Sequence, residues 1–203
     1  MTQSPNSSTQ VNDDKTMTDD QKAMANLVSQ MLGFIEEDTQ REGLIDTPRR
    51  VAKAYSRLFS GYKQNLESIV TVFANEGYDE MVIAKDIEFY STCEHHMLSF
   101  FGRVHIGYIP GEKIIGLSKL PRLVEVFARR LQNQERMTSQ IAQGLMDILN
   151  PKGVGVVVEA QHLCMMARGV EKQNSMVTTS GLHGLFKKNL NTRTEFLRLI
   201  GKA

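Results

Sequence analysis

The sequence has few cysteines and no long apolar run, and each absence excludes a class of protein. Two cysteines in 203 residues are too few for a disulfide framework, so we expect a reducing, cytoplasmic setting. No apolar run reaches the roughly 18 residues of a transmembrane helix, so no membrane partner is expected. The N-terminal stretch lacks the apolar segment of a secretion signal, and we expect residues 1–17 to form a disordered polar tail.

Neither sign of charge is in excess. The formal net charge is +1, which gives no support to nucleic-acid binding through bulk charge. Any affinity for phosphate must therefore come from local clusters of basic residues. Hydrophobic residues make up 41% of the chain, enough for a core that needs no covalent cross-links.

The N-terminal third has the apolar spacing of helices. Apolar residues three and four positions apart follow Thr18, which can form a capping box with Gln21. A second helix is predicted after the N-cap and N1 pair Thr47-Pro48, with Gly61 closing it. We assign 18–62 to an N-terminal helical region.

The spacing changes to alternation in the middle of the chain. "GRVHIGYI" predicts a strand with one buried face and one water-exposed face, the latter carrying Arg103, His105 and Gly107. Pro110-Gly111 then fits a hairpin turn, and "KIIGL" is expected to be the return strand.

Helices and strands then alternate in blocks. Ser118 can cap a helix that reaches Leu131, and another helix is predicted from about Glu135 to Leu149. Two strand regions follow, "GVGVVVEAQHLCMMARGV" and "NSMVTTSG", and then a closing helix with Thr192 and Glu195 as its capping box. This order predicts an α+β fold with an antiparallel sheet over a second domain of residues 63–203.

A metal site is one interpretation of "STCEHHML". Cys93-x-x-His96 supplies two zinc ligands on a tight turn. If the second cysteine lies on a strand, His162 and Cys164 share a face and complete an open Cys–His–Cys site. Two alternatives remain: both cysteines can be ordinary buried residues, or a structural zinc can take a fourth ligand from a neighbouring histidine, for example His95.

Basic residues at helix starts indicate an anion. Lys119 and Arg122 follow Ser118 in the first helical turn, where cations oppose the helix dipole unless an anion binds there. Arg50 lies in the first turn of the Thr47 helix, and Arg168 follows Cys164 by four positions. The alternative is a solvated charged surface.

A third candidate is Gln134-Glu135. A carboxylate can accept two hydrogen bonds from adjacent donors, and guanine offers such a pair at N1–H and its 2-amino group. The residues alone favour a simpler explanation, in which a first-turn glutamate stabilises the helix dipole.

Taken together, these motifs resemble one family. "STCEHHMLSFFGRVHIGYIP", "GLSKLPRLVEVFARR", "QERMTSQIA", "HLCMMARG" and "NTRTEFLRLI" are similar to segments of the zinc-dependent GTP cyclohydrolase I family, in the family's order. The resemblance runs from about Thr18 to Ile200 and omits the first 17 residues.

The resemblance implies a fold, an assembly and a reaction. The fold is the tunnel fold, an antiparallel sheet with helices on one side. The assembly is a homodecamer, a dimer of pentamers, with active sites at subunit interfaces. The reaction is hydrolysis of cyclic amidine C–N bonds: GTP and water give 7,8-dihydroneopterin triphosphate and formate, at the start of folate or tetrahydrobiopterin synthesis.

The resemblance also implies roles for individual residues. One Zn²⁺ per subunit is held by Cys93, His96 and Cys164, and it supplies a hydroxide that attacks C8 of the guanine. The remaining roles are proton donation by His162, action near the ribose ring oxygen by His95, sugar rearrangement by Ser118, guanine binding by Gln134 and Glu135, and triphosphate binding by Lys119, Arg122, Arg168 and Arg50. Glu94 receives no role.

Two rival functions remain at this point. A nitrile reductase acting on a deazaguanine shares the tunnel fold but needs a nucleophilic cysteine and a nicotinamide site. A non-catalytic, zinc-stabilised oligomer needs the three metal ligands but not the basic residues or Glu135.

Overall fold

The computed structural model describes residues 17–202. The chain divides into two compact units, Met1–Arg57 and Leu58–Ala203. Apart from Met17, the predicted disordered tail lies outside the described residues.

The N-terminal unit contains two helices, α1 (Asp19–Ile35) and most of α2 (Thr47–Leu58). The predicted capping box is confirmed, because the Thr18 hydroxyl accepts from the Gln21 amide while the Gln21 side chain accepts from the Thr18 amide. A hydrogen bond of 2.9 Å from Gln21 Nε2 to Ser56 Oγ joins the two helices. The second helix ends at Leu58, so the prediction that Gly61 closes it was wrong.

The larger unit contains seven strands and six helices within the described part of the chain. A 3-10 turn (Ser60–Lys63) comes first. The helices are α3 (Leu66–Ile69), α4 (Lys119–Ala128), α5 (Gln134–Leu149), α6 (Leu163–Met166), α7 (Leu185–Lys188) and α8 (Leu190–Leu199). The strands are β1 (Val72–Ala74), β2 (Val82–Cys93), β3 (Ser99–Ile109), β4 (Lys113–Ile115), β5 (Leu131–Gln132), β6 (Gly153–His162) and β7 (Val177–Gly184).

Five of these strands form the main sheet, in the order β5-β2-β3-β6-β7. Neighbouring strands are antiparallel except for the short β2–β5 pair, which is parallel. The helices and this mostly antiparallel sheet form the predicted α+β fold.

One face of the sheet packs against α4 and α5. The core between them is built from β-branched and aromatic residues of the strands and aliphatic residues of the two helices. Its largest fully buried side chains include Phe100, Tyr108, Leu123, Met137 and Ile141. This packing places the first turn of α5 next to the end of β2.

Part of the opposite face is covered by the C-terminal helices. Phe186 of α7 and Phe196 of α8 pack with Val157 of β6 in a second buried cluster. The prediction that His105 and Gly107 face water was therefore wrong: both are buried. The rings of Phe186 and Phe196 lie against Gly107, and His105 contacts Glu159 of β6. Alternation correctly indicated a strand but gave no information about this distant cover.

Strand β4 has a different partner from the one predicted. It pairs with β1, with Phe73 opposite Ile114, rather than returning along β3. Its link to β3 is a hydrogen bond of 3.4 Å from the Ile115 amide to the Tyr108 hydroxyl. The hairpin prediction failed because the sequence between the helices and β2 contains a short strand that periodicity does not reveal.

Two helix boundaries also differ from the prediction. The fourth helix ends at Ala128, and Leu131 begins β5 instead of continuing the helix. The last helix starts at Leu190 with Asn189 as its N-cap, whose side chain accepts from the amides of Asn191 and Thr192. No helix among residues 17–202 is long and apolar enough to cross a membrane.

Candidate metal and substrate site

The ends of three neighbouring strands lie side by side at one end of the main sheet. Antiparallel pairing places the end of β2 at Cys93, the start of β3 at Ser99 and the end of β6 at His162 beside one another. The parallel β2–β5 pair sets Cys93 opposite Gln132, just before α5 begins. The two motifs "STCEHHML" and "HLCMMARG" are brought together by this register.

Cys93, His96 and Cys164 form a possible metal-binding group. Their ligand atoms all lie within 4.8 Å of one another, and Cys93 Sγ is 4.0 Å from His96 Nδ1. Cys164 reaches this position from the one-turn helix α6, because β6 ends at His162. The predicted grouping is therefore present, but the predicted reason, a shared strand face for His162 and Cys164, was wrong.

The Cys164 thiol is affected by burial and by the neighbouring Cys93 thiol. Burial raises the pKa of the Cys164 thiol, and the nearby Cys93 raises it further. Two thiols and an imidazole are soft donors typical of zinc sites. A cation at this position would favour the thiolate form of Cys164, which burial and the nearby Cys93 disfavour.

Glu94 holds the turn that carries these ligands. Its carboxylate accepts hydrogen bonds from both terminal nitrogens of Arg136, one of them at 3.2 Å, and from Asn133 Nδ2 at 3.1 Å. Its backbone amide donates to the Gln132 carbonyl at 2.9 Å. The hydrogen bond from Arg136 lowers the pKa of Glu94, so the group is a carboxylate at neutral pH. This residue, which had no predicted role, ties the metal-binding turn to the start of α5.

His95 and Arg168 lie at the margin of the metal group. His95 is exposed, with Nδ1 at 3.8 Å from Cys93 Sγ. Arg168 is exposed as well, and its guanidinium donates to His96 Nε2 at 3.3 Å. A positive side chain therefore stands directly beside the metal group.

His162 is half-buried beside the same edge. Its ring stacks on Phe100 at 4.7 Å between centroids with 3° between planes, and its Nε2 lies 2.8 Å from Gln134 Oε1. Burial lowers the pKa of His162, and the negative charge of Glu135 opposes that shift. The ring is therefore neutral near pH 7 and has a carboxylate nearby.

Gln134 and Glu135, predicted as a guanine-binding pair, have different environments. Gln134 is buried, and its side-chain amide is bonded to protein atoms at both ends. Glu135 is exposed in the first turn of α5. Of the two, only the Glu135 side chain is free to meet a ligand in this arrangement.

Ser118, Lys119 and Arg122 lie together at the start of α4. Ser118 and Arg122 are exposed and Lys119 is half-buried. Ser118 occupies the predicted N-cap position of α4, but its side chain makes no capping hydrogen bond, so its hydroxyl stays available. Within residues 17–202, neither basic side chain has an ion pair or hydrogen bond.

Arg50 belongs to the N-terminal unit. It lies on α2, exposed, and its guanidinium pairs with Asp46 at 3.3 Å. The sequence placed it in the first turn of this helix, and that placement is confirmed.

Three contributors to the site were missed. Phe100 was counted only as part of a resembling segment, and its stack on His162 depends on the β3–β6 register. Arg136 and Asn133 hold Glu94. Asn133 could have been recognised from the sequence, because it is a favoured N-cap residue directly before the helix.

Comparisons with known proteins agree with these features. The sequence model of the family described as GTP cyclohydrolase I matches residues 24–201. The GTP cyclohydrolase 1 of Wolinella succinogenes is 57% identical over 182 residues, 89% of this chain and 97% of that protein. The GTP cyclohydrolase 1 of Methylococcus capsulatus is 58% identical over 181 residues, 88% of this chain and 97% of that protein.

A solved structure titled as the archaeosine synthase QueF-Like in the apo form is a more distant match. It covers 51% of this chain and 93% of that chain, at 19% identity and a TM-score of 0.42, which is too remote to bear on function. The family match and the two relatives cover nearly the whole described chain, and they include the turn of Cys93, the start of α5 and the helix of Cys164. The chain belongs to the GTP cyclohydrolase I family.

Proposed function

We propose that this chain opens the imidazole ring of GTP by hydrolysis at C8, releasing formate and forming 7,8-dihydroneopterin triphosphate. The main support for the proposal is the Cys93–His96–Cys164 group, which lies at the same end of the sheet as His162. Family membership supplies the reaction class. Fold alone would not do so, because one fold serves many chemistries.

We propose one zinc ion per chain in the Cys93–His96–Cys164 group. The donor set supports this choice, because two thiols and an imidazole match zinc and leave a coordination position open. Zinc held in such a site lowers the pKa of the water it binds to near 7. The residues of the chain then have to place the guanine and handle its protons.

Glu135 is suited to bind the guanine. An exposed carboxylate at the start of α5 can accept from both N1–H and the 2-amino group. By resemblance, His162 donates a proton to an imidazole nitrogen of the substrate as the ring opens. Because burial lowers the pKa of His162 and favours its neutral form, the ring has to take up that proton before it can donate it. By resemblance, His95 acts near the ribose ring oxygen and Ser118 acts in the sugar rearrangement.

Four basic residues are proposed to bind the triphosphate. Lys119 and Arg122 stand without a carboxylate partner at the start of α4, and Arg168 stands beside the metal group. Arg50 is added by resemblance alone. Phosphate oxygens would supply the anionic partners that the cationic side chains at the start of α4 lack.

We propose a homodecamer with interfacial active sites, in a cytoplasmic setting. The described chain supports association in two ways: apolar residues of α1 are exposed, with Phe34 at 93% and Ile35 at 72%, and β7 is an open edge strand of the main sheet. Two free cysteines are consistent with a reducing compartment.

The proposal is tested on one preparation by measuring metal content, formate release from GTP and particle mass. We expect about one zinc per chain, formate in step with GTP consumption without any nicotinamide, and a mass of ten chains. Zinc-replete protein that releases no formate would reduce the site to a structural one. Activity that requires a nicotinamide would favour the reductase alternative.

Cys164→Ser tests the ligand set. We expect loss of zinc and of formate release with the fold retained, because Cys164 is only partly buried and packs at the margin of the core. Met165→Leu, a volume-conserving change on the same short helix, is the matched control and should keep both. Circular dichroism checks the fold, and full zinc content in Cys164→Ser would remove Cys164 from the ligands.

A further inference from the structure

The C-terminal helices cover only part of their sheet face, and a cavity of about 540 Å³ lies on the rest of it. Side chains alternate between the two faces of a strand, and Phe89 and Phe100 belong to the core under α4 and α5. Their neighbours Tyr90 and Phe101 therefore point to the opposite face, where they line the cavity. A volume of this size suits a small organic ligand.

Strand register arranges the lining of this reverse-face cavity in two rows across β2, β3 and β6. The first row is Tyr90, Phe101 and Gln161, and the second row is Glu88, Arg103 and Glu159. Residues directly opposite each other on antiparallel strands have Cβ atoms roughly 5 Å apart. A mainly aromatic row therefore lies beside a charged row within one cavity.

The aromatic pair indicates a planar ligand. The rings of Tyr90 and Phe101 are stacked, with 5.3 Å between centroids and 24° between planes. Tyr90 is nevertheless 55% exposed, so a large part of its ring still meets water. Planar heterocycles bind to exposed aromatic side chains by stacking on them, and a third ring in this cavity would extend the existing stack.

The charged row indicates that the ligand is not an anion. Arg103 pairs with Asp86 at 3.2 Å, and Lys202, which also lines the cavity, pairs with Glu159 at 2.6 Å. A phosphate group would have to displace one of these carboxylates. Glu88 is exposed and has no ion pair or hydrogen bond within residues 17–202. The group that is free to meet a ligand is therefore a carboxylate.

The free polar groups indicate which edge the ligand presents. The Glu88 carboxylate can accept from two adjacent N–H donors. The side-chain amide of Gln161, two strands away, has no hydrogen bond to any residue that the structure describes and can donate to a carbonyl oxygen. A 2-amino-4-oxopyrimidine edge carries this set of groups: an amino group beside a ring N–H, and a carbonyl oxygen.

We propose that the reverse-face cavity binds an uncharged planar heterocycle with a 2-amino-4-oxopyrimidine edge, which guanine nucleosides and pterins share. The ring stacks on Tyr90 and Phe101, its adjacent donors meet Glu88, and its carbonyl oxygen accepts from Gln161. The site is separate from the metal group and from the proposed active-site residues, because none of them lines the cavity. The inference therefore does not rest on the proposed function.

Equilibrium dialysis against guanosine tests the site. The protein is the zinc-loaded full chain carrying Glu135→Gln, which lacks the carboxylate proposed to bind guanine at the start of α5. We expect about one guanosine to bind per chain. Adenosine has the same sugar and a bicyclic ring but lacks the adjacent pair of donors, so it should bind more weakly. GTP should bind to this variant no more tightly than guanosine, because both cations of the cavity are already paired.

Two substitutions in the same background locate the bound guanosine. Tyr90→Ala removes half of the aromatic stack and should weaken binding by roughly tenfold or more. Tyr78→Ala is its matched control, because Tyr78 is 52% exposed and lies outside the cavity lining. Glu88→Gln keeps the volume but loses the charged acceptor, and we expect a similar loss of roughly tenfold.

Glu80→Gln is the control for Glu88→Gln, since Glu80 is exposed and lies outside the cavity lining. Circular dichroism checks that each variant is folded. Unchanged guanosine affinity in either Tyr90→Ala or Glu88→Gln would overturn the proposal, and so would adenosine binding as tightly as guanosine.

Pterin, dialysed in place of guanosine, distinguishes the two sources of this edge. The tighter of the two ligands identifies the source, and failure of both to bind overturns the proposal. Formate release from GTP by the unaltered protein is measured in parallel. A chain that releases no formate but binds either ligand through Tyr90 and Glu88 would refute the proposed function and leave the reverse-face site in place.

Discussion

Glu94 shows what a single residue can do for a site without touching it. The carboxylate meets Arg136 at two nitrogens and Asn133 at a third, and all three residues are fixed to the start of α5 or to the turn after β2. Bidentate pairs of arginine and carboxylate combine charge with direction. The pair therefore fixes the turn that carries two metal ligands relative to the helix that carries Glu135.

Glu94→Gln should make zinc leave the protein faster. The amide keeps the volume but loses the charge and one acceptor, so the turn that holds Cys93 and His96 becomes less ordered. We expect transfer of zinc to a chromogenic chelator to be roughly tenfold faster, the lower end of what outer ligand supports contribute.

Glu112→Gln is the control for this change, since Glu112 is an exposed carboxylate in the turn before β4. Arg136→Lys should act in the same direction as Glu94→Gln, because lysine cannot make the bidentate contact. Equal release rates in Glu94→Gln and Glu112→Gln would show that the turn keeps its shape without the pair.

At the residue scale, the sequence predicted which residues form the candidate site better than it predicted how the fold brings them there. Spacing identified Cys93, His96 and Cys164 together, yet Cys164 lies on a helical turn and not on the strand that justified its inclusion. Gln134 was expected at the guanine, and the structure places its side chain inside the protein. The type of residue indicates a possible chemistry, whereas the direction of a side chain depends on packing that the chain order does not contain.

At the scale of elements, local signals were reliable and remote ones were not. The capping box of Thr18 and the spacing of α5 are contained within a few turns of helix, and both predictions were confirmed. The exposed face expected at His105 and the partner expected for β4 were wrong, because each depends on a segment far away in sequence. Hydrophobic periodicity predicts the type of an element but does not predict which other elements pack against it.

Packing of the C-terminal helices on the sheet requires a residue without a side chain at position 107. A Cβ on Gly107 would lie 2.8 Å from one carbon of the Phe196 ring and 3.2 Å from one of the Phe186 ring. Both rings are fully buried, so they have little freedom to move. Gly107→Ala should therefore destabilise the protein by about 1–3 kcal/mol, as overpacking commonly does, measured by urea unfolding of the zinc-loaded protein.

Gly33→Ala is the control for this substitution. Gly33 lies in α1 with nothing within 4 Å of its Cβ position, and alanine in a helix interior is favoured by up to about 1 kcal/mol. We expect the two alanine variants to move the free energy of unfolding in opposite directions. A neutral or stabilising Gly107→Ala would mean that α7 and α8 can shift on the sheet.

At the scale of the whole molecule, the α+β class followed from the order of the elements, whereas the decamer came from family resemblance alone. Composition and periodicity describe what one chain buries, and they contain little information on what a second chain covers. The exposed apolar residues of α1 and the open edge at β7 support association, but they do not specify the number of subunits. The number of subunits therefore has to be measured, for example from the particle mass, because the sequence does not predict it.

A polar network ties the end of the described chain to the sheet. Lys202 Nζ lies 2.6 Å from Glu159 Oε2, and the buried His105 lies 3.3 Å from the same oxygen. Burial raises the pKa of Glu159, but the Lys202 ammonium and the His105 imidazole outweigh it, and the net shift is downward. The carboxylate is thus favoured in the folded protein.

The sign of this shift gives a prediction for acid unfolding. A carboxyl whose pKa is lower when folded stabilises the protein above its unfolded pKa, and that contribution is lost as pH falls through the folded value. Lys202→Met removes the main partner, so burial of Glu159 is no longer offset. We expect the variant to be less stable than the unaltered protein near pH 7, and the difference to shrink as pH falls below the ordinary glutamate value of 4.5.

Lys22→Met is the matched control for Lys202→Met, because Lys22 pairs with Asp19 at 3.3 Å on the exposed surface of α1 and exposed pairs contribute little. Urea unfolding at a series of pH values measures both variants against the unaltered protein. A constant difference from pH 7 to pH 3 in Lys202→Met would show that Lys202 contributes by packing rather than through the charge of Glu159. Equal curves for Lys202→Met and Lys22→Met would mean that the C-terminal tie has no role in stability, and that the buried pair of His105 and Glu159 is sufficient on its own.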